Sequence, residues 1–99
     1  MIRGTTPILE FELPFDTSQL TEAYVTLSQN DAIVLDKPLS DCKCGGNTLT
    51  VRLTQEETLM LDCKCDTEIQ VRAKTLEGDA LASNIIRVDT GRILKDGVI

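Results

Sequence analysis

The chain has 99 residues, a net charge of −6 and an isoelectric point near 4.5, enough for one domain around one core. An acidic surface repels phosphate backbones, and the ten Lys and Arg are scattered along the chain, which argues against a nucleic-acid partner. With Phe11, Phe15 and Tyr24 as the whole aromatic complement, the core must be aliphatic. Its Thr, Val, Ile and Leu suit pleated surfaces better than helices.

The opening "MIRGTTPILEFELPFD" has no uninterrupted apolar stretch of the signal-peptide kind, and no run approaches membrane-spanning length. The expectation is synthesis in a cytoplasm, no membrane partner and reduced thiols. "LEFEL" then alternates, with Leu9, Phe11 and Leu13 on one face and Glu10 and Glu12 on the other. Pro7 and Pro14 bound this strand and point to a sheet edge. "LPFDTSQL" reads as a loop. "TEAYVTLSQ" alternates again, with Ala23, Val25 and Leu27 opposite Tyr24, Thr26 and Ser28, and Gln29, Asn30 and Asp31 turn the chain into "AIVLDK" as a hairpin.

Gly45, Gly46 and Asn47 mark the next turn, since Gly and Asn accept positive φ. In "NTLTVRLT" the inward residues are Leu49, Val51 and Leu53. Thr54 followed three residues later by Glu57 is a capping-box pattern, so at most one short helical turn is expected, near residues 54–60. "EIQVRAK" presents Ile69, Val71 and Ala73 inward, Glu77, Gly78 and Asp79 turn, and "ALASNIIRVDT" reads as one last long strand. About seven short strands with no crossover helix predict an all-β fold over residues 1–99. It is best read as an antiparallel immunoglobulin-like β-sandwich, although the chain has no Trp and lacks the Cys…Trp…Cys pattern; a small Greek-key barrel is the alternative. Residues 91–99, "GRILKDGVI", are expected as an extra strand on the same sandwich or as an arm that adds to a neighbouring subunit.

No His occurs, which removes Ser-His and Cys-His nucleophiles and His metal ligands, and no phosphate-cradling or dinucleotide motif is present. Paired acids such as Glu10/Glu12 and Glu56/Glu57 sit on strand or turn surfaces, the usual place of a solvated face. No catalytic residue is assigned and the chain is not read as an enzyme. All four cysteines lie in two copies of "DCKC", as Cys42/Cys44 and Cys63/Cys65. On a straight strand, residues two apart have Cα atoms about 6.6 Å apart. Thiolates on one zinc need sulfurs only about 3.8 Å apart, so a Cys-x-Cys pair there chelates poorly. A four-thiolate zinc site and cross-strand bridges, Cys42–Cys65 with Cys44–Cys63, are therefore subordinate to reduced thiols that pack as small hydrophobes without a cofactor. An extended "LMLDCKC" would put Leu59, Leu61, Cys63 and Cys65 on one apolar face.

"MIRGTTP", "LPFD", "LTQEET", "IQVR" and the ending "ASNIIRV…ILKDGVI" together resemble a group of small proteins encoded among structural genes of phages and prophages of Gram-positive gut bacteria. The block pattern over residues 8–88 is also similar to the N-terminal immunoglobulin-like domain of phage baseplate upper proteins. The doubled Cys-x-Cys lies outside that shared pattern, and the group supplies no catalytic or ligand residues to carry over. The resemblance implies a non-enzymatic structural or assembly protein of the tail, baseplate, neck or head, located in the virion after synthesis in the bacterial cytoplasm. Its partners would be copies of itself or other phage structural proteins. The expected contact residues are Met1, Ile2 and Arg3 at the start and Ile93, Leu94, Val98 and Ile99 at the end. A host-directed protein-binding module is the competing reading, and a zinc protein built on the cysteines a more distant one.

Overall fold

A computed structural model describes residues 1–99. Eight strands form two antiparallel sheets: β1 (Ile8–Glu12), β2 (Leu20–Gln29), β3 (Ala32–Pro38), β4 (Lys43–Gly45), β5 (Thr48–Arg52), β6 (Thr67–Thr75), β7 (Ala80–Ala82) and β8 (Ile86–Val88). One sheet has the order β1-β5-β4; the other runs β3-β2-β6-β7, with β8 on β6 as well. This is immunoglobulin-like connectivity without its first strand. β1, β5 and β4 take the places of B, E and D, and β3, β2, β6 and β7/β8 those of C′, C, F and G.

The alternation read from the sequence decides which faces meet. Ala23, Val25 and Leu27 of β2, Leu35 of β3, Leu49 and Val51 of β5 with Leu53 beyond it, and Ile69 and Val71 of β6 form one buried cluster between the sheets. Leu9, Phe11 and Leu13 are only half-buried because β1 is an edge strand, as Pro7 and Pro14 suggested. Leu13 donates its N–H to Asn47 and Pro7 accepts from Leu53, so the odd residues of β1 bond to β5. The backbone groups of Ile8, Glu10 and Glu12 therefore point to the open edge where a first strand would lie. Between that edge and β7 is an apolar cleft of about 280 Å³, lined by Leu13, Phe15, Val71, Ala73, Leu81 and Ala82.

Four local features correct the sequence reading. The last long strand is broken: β6 residues Arg72 and Ile69 are three apart, but their partners Ala82 and Ile86 are four apart, so one extra residue is accommodated between β7 and β8. Ser83 stabilises the break, its N–H bonding the Val71 carbonyl while its hydroxyl accepts from the Val71 N–H. With this break and the short β4, the sandwich has eight strands where about seven were expected. Second, Thr17–Gln19 and Leu39–Asp41 form 3-10 turns, the first capped by the Asp16 side chain. Third, residues 91–99 form no strand and contribute a single parallel bridge, Gly91 to Ile2. Fourth, residues 62–65 are a turn and not an extended run. The expected capped helical turn is present as α1 (Gln55–Leu59), with Thr54 and Glu57 each bonding the other's backbone N–H.

Candidate interaction surfaces

The first and last segments meet at one pole of the sandwich. The Met1 amino group donates to the Asp89 carbonyl (2.6 Å), Gly91 N–H to Met1 (2.7 Å) and Arg3 N–H to Gly91 (3.1 Å). Arg3 then caps α1: its guanidinium donates to the carbonyls of Leu59 (2.9 Å) and Leu61 (3.0 Å) and pairs with Asp96 at 3.3 Å. Those carbonyls lie at the end of the helix, where backbone acceptors lack partners and cations are favoured. Gly4, at φ +77°, passes so close to Ile93 and Leu59 that a Cβ would stand 2.8 Å from the Ile93 side chain. Gln55 holds Ile99 with two bonds, donating to its carbonyl and accepting from its N–H.

Of the seven expected contact residues, Met1, Arg3 and Ile93 are half-buried within this junction. Ile2, Leu94, Val98 and Ile99 are exposed, Leu94 and Ile99 each at 92%. Arg3 is therefore a structural clamp and not a free contact. Arg92 and Lys95, in contrast, are exposed and make no ion pair.

The two "DCKC" copies do different things. In the first, Cys42 follows the 3-10 turn, packs against the core and sends its thiol toward the Pro38 carbonyl at 3.4 Å. Burial, then the neighbouring Cys44 and Asp41, push the Cys42 thiol up, with Lys37 opposing. Cys44 pairs across the sheet with buried Leu49 yet is exposed, because β4 is an edge. In the second copy the Asp62 carboxylate accepts from Lys64 N–H (2.8 Å) and its carbonyl from Cys65 N–H (3.3 Å), which closes a turn. Cys63 is exposed and Cys65 half-buried. The apolar face expected for Leu59, Leu61, Cys63 and Cys65 thus exists for Leu61 but not for Cys63, since an Asp side chain competes for the backbone that an extended strand would need. The thiol packed against the core is Cys42, in the first copy. No three His, Cys, Asp or Glu side chains come together as ligands, so Cys42, Cys44, Cys63 and Cys65 are not assembled as a four-thiolate site.

The sequence reading missed Gln29. Its buried amide donates to the carbonyls of Asp62 (2.9 Å) and Cys65 (3.3 Å), and its carbonyl accepts from Asp62 N–H (2.8 Å). The Thr67 and Thr90 hydroxyls, 2.7 Å apart, complete the cluster. A polar residue continuing the inward parity of Ala23, Val25 and Leu27 was the signal that could have found it.

The outer face of the larger sheet carries an open trough of about 590 Å³. Its floor mixes Thr26, Ser28, Glu68 and Gln70 with the exposed Tyr24 ring, and Asp31, Asp36 and Arg72 bring further charge. Ile33 and Ile85 stand at the two sides, 67% and 58% exposed. Each isoleucine adjoins an irregularity in its strand. The β2–β3 register skips Val34, which sets Ile33 opposite outward-facing Ser28, and Ile85 lies in the break between β7 and β8. Set against protein-family models, curated proteins and solved structures, the chain matches none, so its own topology and surfaces carry the functional reading.

Proposed function

We propose that the chain is a non-enzymatic phage structural or assembly protein that works through protein–protein contacts. The observation that carries this reading is the apolar pole: Ile2, Met60, Leu94, Val98 and Ile99 stay exposed around a junction that Arg3 and Gln55 hold in place. Scattered exposed apolar residues are ordinary, but a group drawn from both ends of the chain and the residue that follows α1 is a surface suited to a partner. The resemblance of the sequence blocks to phage structural-gene products supplies the setting, and the rigid sandwich suits a part that presents surfaces.

The direct test is mass spectrometry of purified particles, with gel filtration and light scattering of the isolated protein. The expected result is a stoichiometric particle component that also forms discrete oligomers. A strictly monomeric protein absent from particles overturns the reading. Capture of one dominant host protein, with no phage protein, would replace it with the host-directed module.

A further inference from the structure

We propose that the trough on the outer sheet face receives the 91–95 segment of a second copy, in a head-to-tail contact. The inference rests on the protein–protein reading above and specifies its surface and its occupant. The trough presents three carboxylates, Asp31, Asp36 and Glu68, against one guanidinium, Arg72. Glu68 is partly offset by Arg87 at 3.7 Å, and Asp36 accepts from Thr26 at 2.7 Å. The surface therefore favours a cation, while the flanking isoleucines favour an alkyl group. The segment Gly91, Arg92, Ile93, Leu94, Lys95 offers both, with two unpaired cations and a Leu side chain 92% exposed.

Geometry and charge select this occupant. β3 and β8 are three interstrand spacings apart, roughly 14 Å, which is room for one extended segment with its side chains. Gly91 and Ile93 stay in the junction while Arg92, Leu94 and Lys95 are exposed beside them, so a guanidinium, an isobutyl group and an ammonium are presented together from an anchored segment. The cleft between β1 and β7 is a poorer host for a segment with two cations, because it offers one carboxylate, Glu12, against the trough's three. Trough and segment are different surfaces, so the contact is heterologous and propagates into a ring or a filament.

That asymmetry gives the test. Ile33→Ser with Asp31→Asn takes an alkyl wall and a carboxylate from the trough and leaves the segment; Arg92→Glu with Leu94→Glu spoils the segment and leaves the trough. All four positions lie outside the buried core, so circular dichroism melts should show both variants folded. Analytical ultracentrifugation of the unaltered protein at about 100 μM and low salt should show species larger than a dimer, weakened at least tenfold by 0.5 M NaCl. Each variant alone should be monomeric, and an equimolar mixture should give a 1:1 dimer and nothing larger. A monomeric unaltered protein, oligomers that survive both variants, or a mixture that stays monomeric each overturn the contact. None of these outcomes depends on whether the protein is found in particles, so this contact and the structural role can fail separately.

Discussion

Gln29 shows how one side chain can hold two distant parts of a chain. Its amide bonds both ends of the turn at residues 62–65 and reaches Thr67 and Thr90, and no buried side-chain polar atom in the protein lacks a partner. Gln29→Leu keeps the bulk and strands those groups, so urea unfolding should show a loss of about 2–4 kcal/mol. The cysteines make a second residue-scale case. Cys44 and Cys63 are exposed, whereas Cys42 is half-buried and its thiol is pushed up by burial. Peptide mapping after brief alkylation at pH 8 should find Cys44 and Cys63 labelled first and Cys42 last. Equal labelling of all four would contradict the packing of Cys42. The sequence showed four thiols in two identical tetrapeptides, but identity of sequence did not carry identity of environment. What precedes each copy differs: a strand and a 3-10 turn in one case, a helix end in the other.

At the scale of elements, α1 is short and depends on its surroundings. Its capping box was legible because Thr54 and Glu57 act on local backbone, at a spacing that sequence displays. Its other supports were not, because they come from far along the chain: Lys37 of β3 bonds Glu57 at 2.6 Å, and Arg3 takes the carbonyls at the other end. Burial raises the Glu57 carboxyl, but the Lys37 bond and the Thr54 backbone outweigh it and hold the group below its ordinary 4.5. A carboxyl with a depressed folded value stabilises the fold above the unfolded value and loses that contribution as pH falls through the folded one. Denaturant midpoints should therefore drop on acidification below about pH 4.5, and drop less steeply in Glu57→Gln. Lys37 is raised above 10.5 chiefly by its bond to Glu57, so the matching alkaline loss begins above that pH. Thr54→Ala should cost about 0.5–2 kcal/mol.

Across the whole molecule, the sheets were legible because their faces are written in period-two alternation, from Leu9 on β1 to Ala73 on β6. The break between β7 and β8 was not, since Ser83 replaces a backbone acceptor with its hydroxyl, and no alternation records that. Nor was the course of residues 91–99, whose apolar residues follow neither strand nor helix period. That segment adds little to the core, Ile93 being its one half-buried apolar side chain. Removing residues 92–99 should leave a cooperative melt, lowered by roughly 4–8 °C for about 1 kcal/mol of lost tethers.

The bridge between Ile2 and Gly91 has a mechanical consequence. The two segments run parallel, and three backbone bonds tie residues 1–3 to residues 89–91. Tension applied through the chain on either side of this junction pulls the segments in opposite directions along their length. The bonds are then sheared together and not opened in sequence, and the sandwich behind them stays unloaded until they yield.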